Sequence, residues 1–228
     1  MLFTSKAEDF ESEKERNLYY KVFAGYFFNE LVPGLEERLA LFADLINSCQ
    51  RRGQAAADQH VRFSATSAHV SFDNHAYLFP SLAQDKGEFA DILLHDRANR
   101  VVVPIEAKVH SDWSYEKDVI DNERRLRAIQ AQLPEIHFVP CLLITSSRWE
   151  ECQRHGSQQH SNYRRFAEEA SCRTRVLLWE DLAGLIREAT VREHIVSQLQ
   201  APGGRPRYSF SEGWFKKAAP GTSPPAGA

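Results

Sequence analysis

The sequence predicts an α/β fold with a central mixed β-sheet, which is flanked by α-helices and preceded by N-terminal helices. Three observations lead to this prediction. Apolar residues recur at spacings of three and four near the N-terminus, two apolar segments flank a tight turn in the middle, and helical and strand patterns alternate afterwards. The length of 228 residues suits one domain with a sizeable core.

Two predicted helices open the chain. The first covers residues 8–31, and one apolar face carries Leu18, Tyr19, Val22, Phe23, Tyr26 and Phe27. Pro33 and Gly34 end this helix. A second apolar face then predicts a helix over residues 35–48.

A β-hairpin is predicted in the middle of the chain. Residues 60–66 and 68–72 are candidates for short strands that precede it. Residues 89–95 then predict a strand, the segment DRANR at 96–100 has the length of a hairpin turn, and the β-branched segment 101–109 predicts the second strand.

Five further segments complete the predicted core in the order helix, strand, helix, strand, helix. They are residues 115–133, 138–145, 161–170, 175–179 and 181–200. Pro134 ends the first of these helices, and Asp181 is a candidate N-cap of the last. We therefore divide the chain into one domain over residues 1–200 and a tail over residues 201–228. The tail is rich in Gly, Pro, Ser and Ala and is expected to be partly disordered.

The composition indicates a soluble globular protein, with 43% hydrophobic and 26% charged residues and a net charge of −3. No apolar run approaches the roughly 20 residues that a membrane span needs, and the acidic, polar start does not resemble a secretory signal. The four cysteines form no CxxC pair, which favours reduced thiols. A cytoplasmic location without membrane association follows as an expectation. The sequence contains no phosphate-binding motif GxxxxGK[ST], so it does not support ATP use.

Three charged residues interrupt the apolar strands of the predicted hairpin. Asp91 lies within EFADILL, and Glu106 and Lys108 follow the apolar run VVVPI. Unpaired charges are costly to bury. Side chains two residues apart on a strand share a face, so Glu106 and Lys108 point the same way. The hairpin pairs position 91 with roughly positions 105–107, which brings two carboxylates and an ammonium together.

Clustered carboxylates are ligands for a hard divalent cation such as Mg²⁺ or Mn²⁺. Such an ion can hold a phosphate and lower the pKa of a bound water. Lys108 beside it could orient or deprotonate that water, or stabilise developing charge. The alternative is a solvent-facing strand on which Glu106 and Lys108 form surface salt bridges.

Asp91, a hairpin and then Glu106-Ala107-Lys108 resemble the PD-(D/E)XK nuclease superfamily. The segment 88–145 carries this resemblance, and the flanking predicted elements extend it to most of residues 10–200. Ala90 stands where the family motif has Pro. The resemblance implies a restriction-endonuclease-like core, in which Asp91, Glu106 and the Ala107 carbonyl bind Mg²⁺ and Lys108 serves the water.

The resemblance also implies a carboxylate from an N-terminal helix near the metal. Glu15, followed by Asn17 and an apolar helix, is the preferred candidate. The alternatives are Glu30, Glu36 and Glu37.

Several residues after the motif have both a functional and a structural interpretation. Arg124, Arg125 and Arg127 are candidates for phosphate contacts, against scattered surface charge. A solvated helix face is the preferred interpretation for the polar residues between 112 and 123 and for Gln130, with Asn122 or Gln130 facing the site as the alternative. Trp113 and Tyr115 could stack on a base or pack in the core.

The expected function is that of a Mg²⁺-dependent phosphodiesterase that cuts nucleic acid, and a DNA endonuclease is preferred. Bacterial or phage-related restriction or defence is the setting that the resemblance implies, and double-strand cutting would suit a homodimer. The main alternative is an inactive nuclease-fold module that binds nucleic acid or a protein partner. A carboxylate pair that works without metal, as in a glycosidase, is a second alternative.

Overall fold

The computed structural model describes residues 18–56, 60–72, 90–109 and 111–199. It shows an α/β fold with one six-stranded mixed sheet that is flanked by helices. The strands are β1 (Ala68–Phe72), β2 (Ile92–Asp96), β3 (Val101–Ala107), β4 (His137–Phe138), β5 (Cys141–Ile144) and β6 (Arg175–Leu178). The predicted fold class is confirmed at this level.

The order of the strands in the sheet is β1-β2-β3-β5-β6, and β4 pairs with the other end of β3. Strand β2 runs antiparallel to β1 and β3, whereas β3 runs parallel to β4 and β5, and β5 runs parallel to β6. The predicted hairpin is therefore present, with Asp96 opposite Val101 and Ile92 opposite Ile105.

Eight helical segments are described. They are α1 (Tyr20–Phe27), α2 (Leu35–Asn47), α3 (Tyr115–Asp121), α4 (Asn122–Gln132), α5 (Ser146–Gln153), α6 (His160–Glu168), α7 (Trp179–Gly184) and α8 (Ala189–Leu199). Segments α1 and α3 have wide, π-helical turns. Within the described residues no helix is both long and apolar enough to cross a bilayer.

Alternation along the central strands separates two apolar layers. On β3, Val101, Val103 and Ile105 pack with the large aromatic cluster formed by α1, α2, α7 and α8. Val102 packs instead with residues of α4, and on β5 Leu142 packs with residues of α3, α5 and α6. Because side chains alternate along a strand, Glu106 lies on the face of Val102, which α3–α6 cover.

The structure corrects several predicted elements. Residues 60–66 form no strand, and the predicted strand 138–145 is interrupted, with β5 starting after Pro140. Helix α5 was not predicted, because it has a weak apolar face, although Thr145 caps it by accepting a hydrogen bond from the Arg148 N–H at 3.4 Å.

The C-terminal helical region also differs from the prediction. It consists of α7 and α8, and α7 begins at Trp179. Asp181 is therefore in the first turn of α7 rather than at its N-cap, and it pairs with Arg51. Residues 8–17 of the first predicted helix, the first strand residue at position 89 and the tail 201–228 lie outside the described residues.

Candidate active site

Asp91 lies at the end of the hairpin and follows a residue with an unusual backbone conformation. Ala90, immediately before it, has a φ of 61°, in the left-handed region, which costs a non-glycine residue about 1–2 kcal/mol. The ladder between β2 and β3 ends at Ile92, and the Asp91 Oδ2 atom then accepts a hydrogen bond from the Ala107 N–H at 2.7 Å. The carboxylate thus occupies the position of a ladder acceptor, and the predicted pairing of position 91 with roughly positions 105–107 agrees with the register.

Glu106 and Lys108 share one face at the end of β3. The Lys108 Nζ atom donates a hydrogen bond to Glu106 Oε1 at 2.6 Å. The Lys108 backbone is fixed on both sides, because its N–H donates to the Leu143 carbonyl at 2.8 Å and its carbonyl accepts from Trp179 Nε1 at 3.2 Å. The side chains of Glu106 and Lys108 are only 14% and 19% exposed, so the alternative was right about the ion pair between them but wrong about its exposure to solvent.

A further carboxylate, Asp118 on α3, joins this pair. Its Oδ1 atom lies 3.5 Å from Lys108 Nζ, and its side chain is only 13% exposed. The assignment of Asp118 to a solvated helix face was therefore wrong. Asn122 also lies at the site, as the functional alternative had it, since its amide is among the groups that lower the pKa of Glu106 against the burial that raises it, and it donates to the Asp118 carbonyl at 3.0 Å.

The surrounding carboxylates set the charge of Lys108. Burial lowers the pKa of Lys108, but Glu106, Asp118 and Asp91 raise it, and the resulting pKa lies above the ordinary lysine value. Lys108 is therefore a charged ammonium at neutral pH. Three carboxylates surround this one ammonium, and burial raises the pKa of Glu106 although the neighbouring Lys108 lowers it.

The donor chemistry of this cluster fits a divalent cation. Within the described residues no group of three or more His, Cys, Asp or Glu side chains is placed to hold a metal ion. Mg²⁺, however, commonly binds through one or two carboxylates and keeps several waters. Asp91, Glu106 and the Ala107 carbonyl supply such oxygen ligands at one end of the hairpin, where the carboxylates outnumber the single ammonium.

Among the described residues, the candidate ligands Glu30, Glu36 and Glu37 do not contact the cluster. Glu15 lies outside the described residues. Glu36 accepts a hydrogen bond from the Ala65 N–H at 3.1 Å, and Glu37 forms an ion pair with Arg187 at 2.6 Å. The exposed carboxylates of this group are Glu30, Glu36 and Glu37.

Two of the three candidate arginines of α4 lie on the outer side of that helix. Arg124 is 73% exposed at its side chain and pairs with Asp121 at 2.8 Å. Arg127 is 52% exposed and lies 3.5 Å from the buried Glu123 carboxylate, whereas Arg125 is half-buried. Their contact with phosphate stays a prediction.

The structure places the aromatic candidates Trp113 and Tyr115 and the amide candidate Gln130 in contacts within the protein. Trp113 and Tyr115 are buried in the core, so the core-packing alternative is correct and base stacking is not available to them. The Gln130 Nε2 atom donates to the Ile136 carbonyl at 2.8 Å, which uses this amide to hold the segment before β4.

Comparisons with protein-family models, with curated proteins and with solved structures gave no match.

Proposed function

We propose that this protein is a Mg²⁺-dependent nuclease that hydrolyses phosphodiester bonds of nucleic acid. One observation carries the proposal: the hairpin joins Asp91 to Glu106-Ala107-Lys108, through the 2.7 Å hydrogen bond from the Ala107 N–H to Asp91. This is the arrangement that the motif resemblance requires of a restriction-endonuclease-like core.

Each residue of the cluster has a chemical task in this proposal. Asp91, Glu106 and the Ala107 carbonyl would hold Mg²⁺ or Mn²⁺. The ion supplies positive charge against the negative charge that develops in phosphoryl transfer. Lys108 stays protonated, so it orients the attacking water and stabilises charge at the phosphate rather than removing a proton.

The finer features of the proposal come from the resemblance. We expect DNA as the substrate and cutting within the chain, in bacterial or phage-related restriction or defence in the cytoplasm. Cutting both strands would use two copies of the chain, because one site cuts one strand. Arg124, Arg125 and Arg127 are the proposed phosphate contacts, and Glu15 the proposed further ligand.

The test is cleavage of supercoiled plasmid, linear DNA and RNA, each with Mg²⁺, Mn²⁺ or EDTA. Supercoiled plasmid has no free ends, so its cleavage reports endonuclease activity. We expect cleavage with either metal and none with EDTA. Asp91→Asn, Glu106→Gln and Lys108→Ala should each abolish cleavage while far-UV circular dichroism stays unchanged.

Two exposed positions give matched controls for these variants. Asp44→Asn on α2 and Glu135→Gln before β4 remove the same charges outside the cluster, and both should cleave at the wild-type rate. Cleavage in EDTA, or cleavage by the Lys108→Ala variant, would contradict the proposal. Nucleic-acid binding without cleavage of any substrate would favour the alternative of an inactive nuclease-fold module.

A further inference from the structure

Lys108 lies between two carboxylates that belong to different elements. Its Nζ atom is 2.6 Å from Glu106 Oε1 on β3 and 3.5 Å from Asp118 Oδ1 on α3. In this arrangement the ammonium pairs with one of the two oxygens through which Glu106 could hold a cation, and it places a positive charge beside that ligand. The cation and the ammonium therefore compete for Glu106.

Asp118 is held in place without the help of Lys108. Its Oδ2 atom accepts a hydrogen bond from the Ser114 N–H at 2.6 Å, and its own N–H donates to the Ser114 carbonyl at 2.8 Å. The Ser114 side chain caps α3 through the Lys117 N–H at 3.4 Å. The arrangement is similar to a capping box, with the acidic residue one position later because the turn is wide.

These contacts leave Asp118 Oδ1 directed at Lys108 in a fixed, mostly buried position. A lysine side chain has a flexible four-carbon stem, so its Nζ atom can approach Asp118 by a small rotation. Such a shift keeps the ammonium paired, which matters because an unpaired buried charge is costly.

We propose that Asp118 is a positioning residue that receives the Lys108 ammonium when Glu106 turns to a divalent cation. The inference rests on the proposed function, because it needs Glu106 to be a cation ligand. It assigns Asp118 the role of partner to the lysine rather than that of a ligand.

Cation binding tests this inference without any need for cleavage. Mn²⁺ binding to the full chain is measured by electron paramagnetic resonance, with Ca²⁺ titrated by calorimetry as a second probe. Asp118→Asn should weaken Mn²⁺ binding about tenfold, which corresponds to about 1.4 kcal/mol, because the ammonium then stays on Glu106. Asp121→Asn, three residues along and 45% exposed, is the charge-matched control and should change the affinity less than about twofold.

A double-mutant cycle separates positioning from ligation. In the Lys108→Met background no ammonium competes for Glu106, so Asp118→Asn should leave Mn²⁺ affinity unchanged. An equal loss in both backgrounds would overturn the proposal, because Asp118 would then act on the cation directly.

The outcomes also separate this inference from the proposed function. Wild-type Mn²⁺ binding that Glu106→Gln abolishes and Asp118→Asn leaves intact would overturn the inference alone. A wild type that neither binds Mn²⁺ nor cleaves nucleic acid would overturn both.

Discussion

Replacing Asp91 by either Ala or Asn should separate its structural contact from its chemistry. Its Oδ2 atom accepts the Ala107 N–H at 2.7 Å, and Ala107 is only 3% exposed. Both substitutions remove the same negative charge beside Glu106 and Lys108, so the electrostatic consequences cancel when the two variants are compared. Only Asn keeps an oxygen that can accept the Ala107 N–H.

The expected difference in stability follows from that one hydrogen bond. A buried donor without an acceptor costs about 1–3 kcal/mol. For a chain of this size the difference corresponds to roughly 2–12 °C in melting temperature, with Asp91→Ala the less stable variant. Neither variant should cleave nucleic acid, because both lack the anionic ligand.

The assay is thermal and urea unfolding of both variants, followed by circular dichroism. Asp44→Ala and Asp44→Asn give the matched control pair at an exposed helical position. There Ala should be the more stable variant, by less than about 1 kcal/mol, because Ala has the higher helix propensity. Equal unfolding midpoints for the two Asp91 variants would refute the assignment of its carboxylate as a backbone acceptor.

The remaining predictions concern stability away from the cluster. Asp96 is fully buried and accepts four hydrogen bonds between 2.6 and 3.0 Å, so Asp96→Asn, which turns an amide towards two of these donors, should cost about 2–4 kcal/mol in urea unfolding. Burial raises the pKa of Asp96, but these hydrogen bonds lower it below its ordinary value. The contribution of the Asp96 carboxylate to the free energy of unfolding is therefore complete above about pH 4 and is lost as the pH falls further. The stability of the Asp96→Asn variant should fall less steeply with acid than that of the wild type, and the same acid dependence for both would contradict this. Gly53→Ala would place a methyl carbon 2.5 Å from Cys172 Sγ and 2.5 Å from its carbonyl oxygen. It should lower the free energy of unfolding by about 1–3 kcal/mol, and an unchanged midpoint would contradict the close packing of Gly53 against Cys172, which precedes β6.

Local sequence patterns were sufficient to predict the hairpin and the shared face of Glu106 and Lys108 on its second strand. The period of two along β3 places Glu106 and Lys108 on one face whatever surrounds them, and a short turn fixes which residues oppose each other. The register confirms this, since Ile92 lies opposite Ile105. Asp91 therefore meets the following strand where the hairpin prediction placed it.

Other elements could not be predicted from local patterns. Helix α5 has a weak apolar face, and only Thr145 signals its start. Residues 60–66 alternate like a strand, yet Val61 exchanges hydrogen bonds with the Asn47 side chain, at 2.8 Å through its N–H and 2.9 Å through its carbonyl. A side chain from a distant helix thus replaces a neighbouring strand, and such contacts override local propensity.

The sequence by itself therefore determined the α/β class, the hairpin and the placement of Asp91, Glu106 and Lys108 within it, because each depends on residues that are close in the chain. Only the tertiary structure decided that Asp118 belongs with them. On α3 this carboxylate has the pattern of an exposed helix residue, and nothing in its neighbours predicts which face the helix turns to the sheet. Packing of α3 over the Glu106 face of β3 brings Asp118 to 3.5 Å from Lys108, and that packing depends on apolar contacts between residues far apart in the sequence.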